Sequence, residues 1–310
     1  MITLTLTPGD PTGIGPEITA KVLARLDEFP DTSFIVVGSL KALEEAAKNL
    51  GLTLPQNDRV RYHPIEADLP GTVAYKSIDV AVRMIASTEA SALVTGPISK
   101  NNLKEAGIEF PGHTEILEDL ARRHFNKPDV RAEMLFVYKD FRLLLLTRHV
   151  ALKDVSKELA KPGAVAGPVK TLIAFLRHQM GVDTPKIALL GLNPHAGEIG
   201  GHEEDKFYKP VIHAVNAIGA TELAGPFAAD AFFRGFEAEK PGYDAIVAAY
   251  HDQGLIPFKL LAGYEAVNVT IGLPFLRTSV GHGTAEDIAG KGIAREDSLI
   301  AAIQLVRKIT

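Results

Sequence analysis

Short apolar runs alternate along this chain with longer stretches in which apolar residues recur every three or four positions. Residues 2–6, 34–37, 93–95, 143–146, 187–190, 245–249 and 266–271 are short and rich in Val, Ile, Leu or Ala, which is how strands buried inside a sheet read. Between them, residues 40–50, 77–87, 114–123, 169–180 and 206–217 carry apolar side chains at helical spacing with polar residues elsewhere, the pattern of crossover helices. Repeated strand, helix, strand units predict an α/β fold with mainly parallel sheets covered on both faces. Residues 133–139 and 141–146 depart from that alternation and predict a hairpin around Lys139-Asp140.

A chain of 310 residues, 46% of them hydrophobic, is long enough for two lobes. We expect the first to comprise residues 1–130 and 284–310 and the second 131–283, with the crossing near the hairpin. The formal charge of -5 argues against a nucleic-acid or anionic-membrane partner, because both require a basic surface. Cysteine is absent, so thiolate nucleophiles and zinc–thiolate sites are excluded and any metal must be held by imidazole and carboxylate. The start lacks a basic segment leading into a long apolar stretch, and no uncharged run approaches the ~18 apolar residues of a membrane helix. The expectation is a soluble, cytoplasmic protein.

Ligands of open parallel sheets collect at the carboxyl ends of strands. The segments that follow the apolar runs are polar and glycine-rich: Gly9-Asp10-Pro11-Thr12-Gly13-Ile14-Gly15-Pro16-Glu17, Gly96-Pro97-Ile98-Ser99-Lys100, Thr147-Arg148-His149, Gly191-Leu192-Asn193-Pro194-His195-Ala196-Gly197-Glu198 and Tyr250-His251-Asp252-Gln253-Gly254. Three of them supply a histidine, and His149, His195 and His251 can converge on one divalent cation while leaving positions for substrate oxygens. Ordinary turn histidines are the alternative. Asp252 and Glu198 can orient an imidazole or take a proton, or lie solvated in their loops.

The first loop lets backbone approach a ligand, and Pro16 with Glu17 opens a helix, but Ile18 stands where a dinucleotide fingerprint needs its third glycine, so a structural turn is the default. Lys100, Arg148, Lys259 and Arg277 are isolated cations near strand ends, placed to meet phosphate or carboxylate, with a solvated surface cation as the alternative for each. Arg277 stands out because Phe275-Leu276 and Thr278-Ser279-Val280 around it carry no other charge. Gly112-His113-Thr114-Glu115 reads as a helix entry.

These motifs, together with Thr95-Gly96-Pro97 and Leu273-Pro274-Phe275-Leu276-Arg277-Thr278-Ser279, resemble the 4-hydroxythreonine-4-phosphate dehydrogenase family of pyridoxal phosphate biosynthesis over nearly the whole chain. The resemblance implies an isopropylmalate dehydrogenase-like fold, with two α/β/α lobes and an active-site cleft between them. It implies that His149, His195 and His251 are metal ligands and that His113, Thr114, Lys259, Asn268 and Arg277 contact a phosphorylated substrate. It also implies a homodimer whose active site is shared across the interface. Thr12 stands where alanine is commoner in that family.

The segment 281–292, with His282, Gly283, Thr284 and Asp287, looks like the cofactor loop of isocitrate and isopropylmalate dehydrogenases. An acidic group at Asp287 would accept hydrogen bonds from ribose hydroxyls and repel a 2′-phosphate, favouring NAD while NADP stays open. The reaction so implied is NAD-dependent oxidation of 4-phosphohydroxy-L-threonine to 2-amino-3-oxo-4-phosphooxybutanoate, which decarboxylates to 3-amino-2-oxopropyl phosphate. One divalent metal per site, Zn, Mg or Co, would assist, and Asp252 or Asp230 would accept the proton. The alternatives are a 4-phospho-D-threonate or erythronate dehydrogenase of sugar-acid catabolism, a metal-dependent phosphate hydrolase, and a non-catalytic phosphometabolite-binding protein.

Overall fold

The computed structural model describes every residue, Met1–Thr310. Its elements begin with β1 (Ile2–Thr7), α1 (Gly15–Leu23), β2 (Thr32–Gly38), α2 (Leu40–Asn49), β3 (Val60–Pro64), α3 (Pro70–Ala86), β4 (Ala92–Thr95), α4 (Lys100–Glu105) and α5 (His113–Phe125). They continue through β5 (Glu133–Tyr138), β6 (Phe141–Leu145), α6 (Val155–Leu159), α7 (Ala166–His178), β7 (Lys186–Leu190), α8 (Lys209–Asn216), β8 (Glu222–Phe227), α9 (Ala229–Phe232), β9 (Ala245–Ala248) and α10 (His251–Ala262). The chain closes with β10 (Val267–Ile271), β11 (Leu276–Val280) and α11 (Asp297–Ile309).

The chain divides into two units, Met1–Ala132 with Val267–Thr310, and Glu133–Ala266. The first crossing falls close to the expected 130/131, but the return comes at Val267 and not at 284. The reason is sheet pairing: β10 and β11 form an antiparallel hairpin, and β11 then pairs in parallel with β4. Residues 267–283, expected in the second lobe, therefore complete the sheet of the first.

The first unit's strands run in the order β3-β2-β1-β4-β11-β10, parallel except for that hairpin. Side chains alternate between the faces, so neighbouring residues face different helices. Leu93 of β4 joins a buried cluster with Ile78 and Val82 of α3 and Ile116, Leu117 and Leu120 of α5. Val94 shares the opposite face with its cross-strand partner Thr278, whose hydroxyl donates to the Ala302 carbonyl of α11 at 3.0 Å. Helices thus cover both faces, as parallel strands require.

The register also decides which polar side chains meet. Thr270, Arg277 and Leu93 lie opposite one another across β10, β11 and β4, and Asn268, Ser279 and Thr95 form the next row on the same face. That face carries α5. α5 starts abruptly at Gly112 without a side-chain cap, and its first residues are His113 and Thr114.

The second unit orders its strands β5-β6-β9-β7-β8, with β5 and β6 antiparallel and the rest parallel. The hairpin turns where expected, with Lys139 in the left-handed region at φ 52. Phe141, Leu143 and Leu145 of β6, Ile246 and Ala248 of β9, and Leu255 and Phe258 of α10 form its core. Thr147 continues past β6 and uses both its N–H and its hydroxyl to donate to Ala249 O, at 3.2 and 2.7 Å. The loops after β6 and β9 are thereby tied together.

Candidate functional site

Arg277 is the largest fully buried side chain in the protein, 1% exposed. Its two terminal nitrogens donate to the hydroxyls of Thr270 at 2.8 Å and Thr95 at 2.6 Å, while its buried Nε has no partner. Neutral hydroxyls orient a guanidinium but do not offset its charge, and a buried charge without a counter-charge is costly. Burial accordingly pulls its pKa down to about 9. The same surroundings act on His113, the first residue of α5: desolvation, and then the charge of Arg277, hold its imidazole well below its ordinary 6.5.

Besides three threonine hydroxyls (Thr7, Thr19 and Thr32), the further buried atoms of this unit that lack a partner are Nε2 of His113 and Oδ1 of Asn268, and Asn268 lies one register step from Thr270 on the same face. Unsatisfied buried polar groups are rare in folded proteins and call for an explanation. Here they accompany an uncompensated cation and the free backbone N–H groups of a 13-residue helix start. An anionic oxygen donor group satisfies these together. Thr114, buried beside His113, adds a hydroxyl. The structure thus associates four residues expected to contact substrate: His113, Thr114, Asn268 and Arg277.

A second feature of this unit is an open depression of about 430 Å³. One wall is Ile98, Ser99, Lys100 and Asn101; the other is Gly283, Thr284, Glu286 and Asp287. Three of the expected cofactor residues therefore share a concavity with Lys100. His282 lies next to it, exposed, with Nδ1 3.0 Å from Gly283 O. The segment is held from behind by the β1–α1 turn. Ile14 N donates to Thr284 O at 2.9 Å, and a side chain at Gly13 would begin only 2.9 Å from the same oxygen. Buried Glu17 accepts from Gly292 N at 3.2 Å, Ala294 N at 2.8 Å and Lys21 Nζ at 3.1 Å. The first loop is thus a scaffold for residues 284–294, in keeping with its reading as a structural turn.

In the second unit His149 and His251 sit on the tied loops after β6 and β9, with ring centroids 6.1 Å apart. His251 opens α10, and its Nδ1 lies 2.7 Å from Asp252 Oδ1, which leaves Nε2 as its outward nitrogen. Gln253 links this turn to the end of β7, accepting from Ala249 N at 2.7 Å and donating to Gly191 O at 2.6 Å. His195 follows β7 in the left-handed region, φ 54, with Ala196 at φ 55 behind it. Successive non-glycine residues there store strain, which persists only where surrounding bonds impose it. The imposing group is buried Glu204, which accepts from Asn193 N at 2.7 Å and Asn193 Nδ2 at 3.2 Å.

The structure brings His149 and His251 together but does not assemble His195 with them into a three-ligand cluster. Lys259 is exposed on α10. Asp230 is exposed in the first turn of α9, a short helix that touches the His195 turn. Sequence reasoning does not single out Thr95 and Thr270, which hold Arg277, nor Asp10, Asn102 and Glu204, which hold loops. Thr95 closes β4 and Thr270 shares β10 with Asn268, so neither stands out by pattern, and their meeting with Arg277 follows from the register. Glu204 carries no signal either, because a carboxylate in a polar segment reads as solvated.

Residues 31–306 match the family described as pyridoxal phosphate biosynthetic protein PdxA. The chain is 40% identical to a 4-hydroxythreonine-4-phosphate dehydrogenase of Methylorubrum populi, across 99% of this chain and 94% of that one. It also superposes on the crystal structure of a 4-hydroxythreonine-4-phosphate dehydrogenase from Klebsiella pneumoniae with a TM-score of 0.82 at 33% identity, covering 99% and 98% of the two chains. A β-decarboxylating dehydrogenase from Thermococcus kodakarensis shares the fold, with a TM-score of 0.51 at 16% identity and coverage of 99% and 83%.

The depressed pKa of His113 has a consequence for stability. Between its folded value and 6.5 the unfolded chain binds more protons at this position, so stability rises with pH in that window. The contribution is complete above 6.5 and is lost as the pH falls towards the folded value. Urea unfolding of the wild type and of His113→Asn, followed from about pH 7 to about pH 5, should show the wild type losing more stability than the variant. Parallel losses would mean that His113 is solvated.

Proposed function

Because the chain belongs to the PdxA family of pyridoxal phosphate biosynthetic proteins, we propose that it oxidises 4-phosphohydroxy-L-threonine with NAD. The product, 2-amino-3-oxo-4-phosphooxybutanoate, decarboxylates to 3-amino-2-oxopropyl phosphate on the route to pyridoxal 5′-phosphate. The observation that supports this substrate is the buried, uncompensated Arg277 with the open valences of His113 and Asn268 around it. A phosphate there offers the negative charge and multiple acceptor oxygens this set lacks. Neutral His113 donates or accepts one hydrogen bond without adding a charge.

The second unit's imidazoles suit a divalent ion. His149 and His251 already lie together, Asp252 fixes the His251 ring with Nε2 outward, and imidazole donors accept Zn or Co readily and Mg less so. His195 is the third donor of the proposed set. In the first unit, no residue other than its chain neighbours comes within 4 Å of where a Gly283 side chain would begin, so a dinucleotide can lie against the backbone there, with Asp287 for ribose hydroxyls. When bound, the ion and NAD supply a Lewis acid for the hydroxyl oxygen and a hydride acceptor.

The chain's own residues do the remaining work. Arg277, Asn268, His113 and Thr114 hold the phosphorylated end, fixing the carbinol carbon in one orientation and removing the entropy cost of encounter from the chemical step. Of the two carboxylates proposed for the hydroxyl proton, Asp252 is already bonded to His251, so Asp230 beside the His195 turn is the freer acceptor. The β-keto acid then loses carbon dioxide without a dedicated residue. A biosynthetic role of this kind suits the cytoplasm. No helix is long and apolar enough to cross a membrane.

We read the active form as a homodimer sharing its sites. α10 exposes Ile256, at 60%, and Leu260, at 81%, one turn apart, with Leu261 alongside and Lys259 among them. An outward apolar stripe on a helix that also buries Leu255 and Phe258 is costly in water and suits an interface. Lys259 would then serve the partner's substrate.

Purified protein with NAD, a divalent ion and 4-phosphohydroxy-L-threonine should form NADH, and chelation should stop it. Arg277→Gln should raise KM for that substrate about a hundredfold, because it leaves the phosphate without its buried cation. No NADH, or a stronger preference for 4-phospho-D-threonate, would refute the assignment. Mixing His149→Ala with Lys259→Ala subunits should restore activity that neither variant has alone; verified heterodimers that stay inactive would contradict the shared site.

A further inference from the structure

We infer that Asp10 is the positioning residue that sets the spacing between the two walls of the proposed cofactor depression. The inference rests on the reading that NAD binds between Lys100 and Asp287. Asp10 is fully buried. Its Oδ2 accepts from Asn102 Nδ2 at 2.9 Å, and its Oδ1 accepts from Thr12 N at 3.0 Å and Thr12 Oγ1 at 2.7 Å. Its backbone is fixed as well: Asp10 N donates to Pro97 O at 2.9 Å, and Gly13 N donates to Asp10 O at 3.2 Å.

Each bond leads to a wall. Asn102 belongs to α4 and follows Lys100 and Asn101, which line one side. Thr12 precedes Gly13 and Ile14, the residues against which Thr284 of the other side is packed and bonded. The Asp10 carboxylate, with the direct hydrogen bond from Asn102 Nδ2 to Thr12 Oγ1 at 3.1 Å, therefore joins the α4 wall to the 283–287 wall. Nothing in the proposed chemistry uses Asp10, and burying a carboxylate among neutral donors is costly. Cost and placement are both explained if its task is to hold two segments that have no secondary structure in common. A site that grips a dinucleotide depends on such support, because small displacements of its walls lose binding geometry.

The test exchanges donor and acceptor across the Asp10–Asn102 bond in the full-length protein. Asn102→Asp sets two carboxylates against each other and should weaken NAD binding, read as Kd by calorimetry, by about tenfold or more. The KM for the phosphorylated substrate should stay within about twofold, since Arg277 and His113 are not attached to this network. Combining it with Asp10→Asn recreates one carboxylate and one amide in reversed order, and should return Kd to within about threefold of wild type.

Backbone hydrogen exchange of residues 283–288 in the cofactor-free protein should quicken in Asn102→Asp and recover in the double variant. If Asn102→Asp does not fold, Asn102→Leu, which cuts the same tether without adding charge, replaces it. A folded single variant that binds NAD like the wild type, or a double variant no better than the single, overturns the role of Asp10. Failure of the wild type itself to bind NAD instead overturns the cofactor reading on which it rests.

Discussion

A guanidinium buried to 1% exposure with only hydroxyls for partners is the constraint around which the first unit is organised. Burying Arg277 among apolar strands costs several kcal/mol, on the order of what a small domain has to spare. The surroundings reduce that cost by geometry alone. Thr95 and Thr270 come from strands on either side of β11 and point to the same face because the register requires it. The charge then dictates the state of its neighbours: His113, desolvated and beside a cation, is neutral at physiological pH. A cation, a neutral imidazole and the start of a 13-residue helix are a standing preference for an anion.

The supports are built in the same way, by buried acidic groups acting on backbone. Glu17 holds Gly292 and Ala294, Asp10 holds Thr12 and Asn102, and Glu204 holds Asn193 before the strained His195. In each case a carboxylate satisfies donors that a loop would otherwise leave open. That is why the glycine-rich turn after β1, which looks like a ligand loop, works as a bracket. Its close approach to Thr284 fixes the segment that faces the depression, and the turn itself need not touch a ligand.

Much of this was legible before any coordinates. The apolar runs at 2–6, 93–95, 187–190 and 245–249 mark strands, and the polar segments after the last two carry His195 and His251 where the sequence places them. The elements that the hydrophobic pattern does not show each have a physical reason. β11 was invisible because Arg277, Thr278 and Ser279 break its apolar run, although the strand is buried. β3, at the sheet's edge, reads polar because most of it is solvated. α10 escaped the helical pattern because it is apolar on its buried face and again on its exposed one. The boundary at 267 was missed with β11, since only the β10–β11 hairpin shows where the chain rejoins the first sheet. Arg277 itself was legible as a lone charge in an uncharged stretch; its partners were not, because cross-strand neighbours depend on register.

The most direct test of the account is the titration of His113 by NMR of histidine-labelled protein, with the signal assigned by its loss in a His113→Asn variant. The imidazole should stay neutral well below its ordinary 6.5 in the free protein, and its titration should move upward when 4-phosphohydroxy-L-threonine or inorganic phosphate binds beside Arg277. An imidazole that titrates near 6.5 and ignores both anions would show that the buried cation is not the phosphate site.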